Sequence, residues 1–433
     1  MCMLFILSSL STAFSQDNPG PEQKMTLEEA WDRVEKYNKS VKNWDLRVQI
    51  SHQQQEDTRR ERLPEIGVKS EYARISNLPM YEGGLLQAPT QYPVLHNFFQ
   101  LKADAYLNLY EGHRQRTKEQ TEEVVHALTE EQRRQAAADV RLRVAAVYLD
   151  LSRSLVFEQL TLKNMEEAEK RLAEIRELHR NGVVIRSDLL RAELQLSRQK
   201  MTLVEIRNAV ELARQKLNLM IGLPEATRVV PADSEAAPVL TGDYDAYVSE
   251  AMGQAFALKI AGKQQEISEL NLRQVQAGYK PRIGLFADYE YAYPQILFYP
   301  YAGALYGLGK AGLRISYPVS ALYHTKHKEQ AAKLEIQRQQ IQLSDRQDAV
   351  RQEVREAYVH YREALERVEV SQLSTRQAEE NYRIVRNTYF HQLALLTDLL
   401  DADSQLLQAR FDLASARLST RLHYYQLLNT IGK

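Results

Sequence analysis

The residues LALLTDLLDADSQLL, 393 to 407, set three carboxylates, Asp398, Asp401 and Asp403, into a leucine-rich run. Side chains three apart are neighbours on a helix surface, so Asp398 and Asp401 would stand together on a helix starting near them. On the residues alone, Asp188 and Asp398 are N-caps of restarting helices, and Asp401 meets the positive end of a helix dipole. Asp403 lies about 200° around the helix from Asp401 and is expected in solvent or at an interface.

Other chemistry is sparse. His324 and His327, with His113 as their repeat neighbour, could share a helix face as metal ligands, although isolated histidines on charged helices are usually solvated. No Ser-His-Asp order, glycine-rich phosphate loop or HExxH motif occurs, so no catalytic, cofactor or metal site is expected. Lys plus Arg number 56 against 57 Asp plus Glu, which removes nucleic acid as the partner that overall charge would select. The one cysteine, Cys2, permits no disulfide framework. The segment MCMLFILSSLSTAFSQ reads as a secretory signal peptide, residues 1–15.

The acidic run has a twin. A shift of 210 residues sets RSDLLRAELQL (186 to 196) against LTDLLDADSQL (396 to 406) and still matches Ile221-Gly222 with Ile431-Gly432. A second match, LPEIGVKSEY (63 to 72) against KPRIGLFADY (280 to 289), needs a shift of 217. The chain is therefore a tandem duplication: a first repeat, 16–222, a linker, 223–245, and a second repeat, 246–433.

Each repeat changes period in the same order. Leu189, Leu196, Leu203, Val210 and Leu217 recur every seven residues, with Ala192, Ile206, Ala213 and Met220 three positions later, the seam of a coiled coil. Long helices are expected over about 113–181 and 325–391, with shorter ones near 26–61 and 246–278. Between them the period falls to two. Strands are expected at about 64–75, 98–110, 281–293 and 311–319, each pair joined by an irregular loop, 75–97 or 294–310. Ile283, Leu285, Ala287, Tyr289, Tyr291 and Tyr293 would share one face and Asp288 and Glu290 the other, the alternation of an outer-membrane barrel strand. Four strands close no barrel, and open edges are not tolerated in lipid, so this reading requires an oligomer.

In this order the chain resembles outer-membrane efflux proteins of the TolC family. The resemblance is carried by NGVVIRSDLLRAELQL (181 to 196) and HQLALLTDLLDADSQL (391 to 406), by LP-E-IG and KP-R-IG where strands begin, by LYEGHR (109 to 114) and by LNLMIGLP (217 to 224). It implies a mainly α fold with membrane β: duplicated helix-strand-strand-helix-helix units forming, as a homotrimer, a 12-stranded barrel continued by a long periplasmic α-helical barrel. It also implies the outer membrane of a Gram-negative bacterium and contact with outer-membrane lipid. The implied partners are a periplasmic adaptor (membrane fusion) protein and an inner-membrane transporter.

By the same resemblance Asp398 and Asp401 line the pore gate, and Tyr389 with Asp188 locks it. The family's second-tip arginine falls on Ala394, so Arg186 is the expected substitute in the lock. Gly182, Val183, His391 and Gln392 occupy the adaptor-docking tips. The family's second-tip glycine falls on Gln392, so that tip is expected to differ in shape. On the residues alone, a secreted or periplasmic coiled-coil scaffold without pore activity also fits the helices.

Overall fold

The computed structural model describes residues 22–232, 242–295 and 302–433; the expected signal peptide, linker residues 233–241 and loop residues 296–301 lie outside them. In chain order the first repeat and linker hold β1 (Glu22–Met25), α1 (Leu27–Tyr37), α2 (Lys39–Arg60), β2 (Glu65–Arg74), β3 (Leu78–Met80), β4 (Thr90–Tyr92), β5 (Asn97–Glu111), α3 (Arg114–Arg180), α4 (Arg186–Ile221) and β6 (Arg228–Pro231). The second repeat adds α5 (Tyr244–Gln254), α6 (Phe256–Ala277), β7 (Arg282–Tyr293), β8 (Tyr306–Ser316), α7 (Ala321–His324), α8 (Lys326–Phe390) and α9 (Leu396–Thr430). Two compact units result, one of residues 45–133 with 256–348, the other of the remainder.

The unit of residues 45–133 and 256–348 contains a sheet of order β2-β5-β7-β8, antiparallel throughout. The alternation read from the sequence becomes two faces across the register. Val68 pairs with Ala103, Ala103 with Tyr289 and Tyr289 with Gly309 on one face. Gly67, Asp104, Asp288 and Lys310 follow one another on the opposite face. The apolar face is open: Ile66 is 77%, Val68 71% and Ile315 64% exposed. On the polar face Lys310 Nζ lies 3.5 Å from Asp288 Oδ2.

β8 starts before the expected 311 and stops before 319. Its first turns of pleat carry Gly307 and Gly309, where an added Cβ would come within 2.7 Å and 2.8 Å of Tyr289. Glycines making room for a tyrosine show no side-chain alternation, so the strand's start was invisible to a search for period two. The loop 75–97, expected to be irregular, contains the short antiparallel pair β3–β4. Two of the resemblance motifs meet at the sheet's other end, where Glu111 Oε1 takes Arg114 Nη1 and Arg282 Nε, each at 3.2 Å.

The other unit buries the predicted heptad seam of α4, with Leu196, Leu203, Val210, Ala213 and Leu217 all under 9% exposed. Val210, Ala213 and Leu217 join Val140, Val144, Tyr148 and Leu151 of α3 and Leu27, Ala30 and Val34 of α1 in one apolar core. β1 and β6 pair in parallel beside it, and the buried Tyr148 hydroxyl donates to Met25 O at 2.8 Å and accepts from Ala232 N at 3.2 Å.

The two short opening helices are each broken by one extended residue, Asn38 (ψ 126°) and Ala255 (ψ 126°), where continuous helices were expected. At Asn38 the side chain does the work: Oδ1 accepts from Ser40 N at 2.9 Å to start α2, while Nδ2 donates to Met220 O at 2.9 Å. Among the described residues no helix is long and apolar enough to cross a membrane.

Candidate functional site

Both tips named in the sequence lie in the unit with the heptad seam. At the first, α3 ends at Arg180 and Gly182 adopts φ 73°; Val183 N–H donates to Leu178 O at 2.9 Å and Gly182 N–H to His179 O at 3.0 Å. At the second, α8 ends at Phe390 and Gln392 adopts φ 63°; Leu393 N–H donates to Thr388 O at 2.9 Å and Gln392 N–H to Tyr389 O at 2.8 Å. The closing pattern is the same residue for residue, a Schellman-type turn. The expected difference in shape at Gln392 is therefore corrected. The backbone bonds set the turn, and Gln392 carries a left-handed conformation that glycine adopts without strain.

Each partner helix restarts behind an extended apolar residue, Ile185 (ψ 158°) and Leu395 (ψ 155°), rather than behind an aspartate. Asp188 and Asp398 thus occupy the third helical position, and the N-cap reading of both is corrected. Asp398 reaches back to the start of α9, where its Oδ2 accepts from Leu395 N at 3.2 Å. One turn on, Asp401 is exposed, as is Asp398, so the pair presents two carboxylates on the free surface of α9.

The tip is held by a small apolar core. Leu396 and Leu399 of α9 are buried with Leu172 and Ile175 of α3, Ala192 and Leu196 of α4 and Tyr389 of α8. Tyr389 is 7% exposed, and its hydroxyl meets no hydrogen-bond partner among the described residues. Burial first, and then the charge of Asp188, push its phenol above the usual tyrosine range. Asp188 is half-buried and Arg186 exposed, while His391, Gly182, Val183 and Gln392 lie on the open surface of the two turns. Ile185, Leu393 and Leu395 add exposed apolar area there, at 66%, 79% and 69%.

Asp403 overturns its expected place in solvent or at an interface. It is 1% exposed, and its Oδ1 accepts from Arg171 Nη2 at 3.0 Å and Asn164 Nδ2 at 3.2 Å. Gln199 Nε2 donates to Asn164 Oδ1 at 2.5 Å. Sequence reasoning missed these three partners, although Gln199 stands at the one seam position between Ala192 and Ile206 that the apolar series skips. A polar residue in a coiled-coil seam is a signal of a buried partner.

The chain thus combines a duplicated order of elements, a four-stranded antiparallel sheet with an exposed apolar face and two matching helical tips. Residues 247–433 match the family model described as outer membrane efflux protein. Three solved outer-membrane proteins share the fold over 94% of this chain: VceC of Vibrio cholerae (16% identity, TM-score 0.77, 96% of that chain), the channel CmeC of Campylobacter jejuni (14%, 0.78, 85%) and the channel MtrE of Neisseria gonorrhoeae in its open state (18%, 0.73, 88%). No curated protein matches the chain in sequence. Residues 247–433 thus resemble the outer membrane efflux protein family in sequence, and the whole chain shares the fold of these solved outer-membrane proteins.

Proposed function

We propose that three copies of this chain form an outer-membrane channel with a large periplasmic portion, and that Asp398 and Asp401 line its gate. In this reading the channel receives substrate from an inner-membrane transporter through a periplasmic adaptor. The carrying observation is the sheet β2-β5-β7-β8, which has one apolar, exposed face and an opposite face that holds Asp104, Asp288 and Lys310. Such a sheet is stable in lipid only when its edges, β2 and β8, find strands in other copies. Twelve strands from three copies meet that need.

At the tips, two exposed carboxylates per chain become two rings in a trimer, a cation-attracting constriction. Tyr389, Asp188 and Arg186 then hold the tips closed, and the exposed turn residues Val183, His391 and Gln392 meet the adaptor. The test is conductance of purified protein in planar bilayers, with Asp398→Asn combined with Asp401→Asn. Cation selectivity and block by divalent cations should fall while trimers assemble normally; unchanged selectivity rejects the gate. Extraction without detergent and absence of trimers would instead favour a coiled-coil scaffold.

A further inference from the structure

Asp403 belongs to the same acidic run as Asp398 and Asp401, yet it points into the protein. One of its oxygens gathers Arg171 Nη2 at 3.0 Å and Asn164 Nδ2 at 3.2 Å, and Asn164 is in turn bonded by Gln199. Arg171 is itself 6% exposed and lies 5.8 Å from the ring centroid of Tyr382. Three helices supply the group: α3 gives Asn164 and Arg171, α4 gives Gln199 and α9 gives Asp403.

A carboxylate removed from water is tolerated only while its donors stay in place. Sliding α9 along α3 by one residue moves it about 1.5 Å, enough to break both bonds. The leucine and alanine contacts around it carry no such directionality and repack readily. Asp401 precedes Asp403 by two residues and Asp398 by five in the same helix, so whatever holds Asp403 also holds the two exposed carboxylates.

We propose that Asp403 and Arg171, with Asn164 and Gln199, are positioning residues of the gate, a buried clamp that fixes α9 against α3 and α4 and so sets where Asp398 and Asp401 stand. The clamp rests on the channel reading above. While it is closed, α9 cannot shift along α3, and a tip movement that withdraws Asp398 from the constriction has to open it.

The test uses purified full-length protein in planar bilayers: wild type, Arg171→Met, and Arg171→Met combined with Asp403→Leu. Arg171→Met strands a buried charge, so it lowers trimer melting and raises open-channel occupancy by about fivefold or more, the factor that roughly 1 kcal/mol represents. The apolar pair regains part of the melting lost in Arg171→Met, because no charge is left buried without a partner while Asn164 Nδ2 still loses its acceptor, and it keeps the raised occupancy because the directional link is gone. Should Arg171→Met fail to assemble, the combined variant carries the test. Wild-type occupancy in that variant would make the pair merely structural and overturn the clamp. Wild-type trimers that conduct nothing would overturn the channel reading and the clamp together.

Discussion

A Cβ placed on Gly222 would stand 2.6 Å from Cβ of Tyr37, and one placed on Gly432 would stand 2.4 Å from the carbonyl oxygen of Gln254. Both glycines have positive φ, 70° and 89°, and each faces the last helical residue before a one-residue break. The Ile-Gly pairs matched by the duplication are therefore close-approach points at the ends of the two repeats.

Gly222→Ala and Gly432→Ala should each lower the melting temperature, since strain at positive φ of about 1 kcal/mol adds to a contact with Tyr37 or with backbone. Gly253→Ala is the control: it lies within α5 with open space around it, and alanine there should raise stability by about 0.5–1 kcal/mol. Thermal unfolding followed by circular dichroism checks the three variants.

Gln392→Gly should stabilise the second tip by roughly 1 kcal/mol, because it removes a side chain from a left-handed position while the turn's two backbone bonds remain. Amide exchange across residues 388–395 reads this directly. Slower exchange is expected, and faster exchange would mean that the Gln392 side chain holds the tip through a contact of its own.

The two exposed aspartates should separate by their effects on folding. Asp398→Ala loses the bond from Leu395 N and a favourable charge near the start of α9, a loss of about 0.5–1 kcal/mol visible as faster proteolysis at the tip. Asp401→Ala should leave proteolysis unchanged. Both should reduce cation selectivity, so an effect of Asp398→Ala on proteolysis alone would assign that residue to the helix start and remove it from the gate.

Tyr389 should make the tip sensitive to alkali. Burial and the Asp188 charge raise its folded pKa, so its neutral form is favoured in the fold; the stabilisation is complete below the usual tyrosine pKa near 10 and is lost as pH rises through the folded value. Tip proteolysis should accelerate above about pH 10 in the wild type and less so in Tyr389→Phe. Among the described residues the hydroxyl has no hydrogen-bond partner, so the phenylalanine variant should fold normally. If the hydroxyl locks the gate between copies, that variant leaks, and susceptibility to large antibiotics rises in cells with intact trimers.

By itself the sequence determined what is periodic. Heptads in α4, alternation in β2, β5 and β7, and the repeat linking Asp188 to Asp398 are readable because a side chain's face follows from its position along the chain. The strands β2, β5 and β7 and the two helical tips belong to that legible part. Tertiary structure alone decided what depends on approach between distant segments. Asn38 breaks a helix because Met220 lies beside it, and Asp403 is buried because Arg171, 232 residues away, comes to meet it. Spacing carries no record of such partners: a charge is kept out of solvent by what packs against it, and that is a property of the fold.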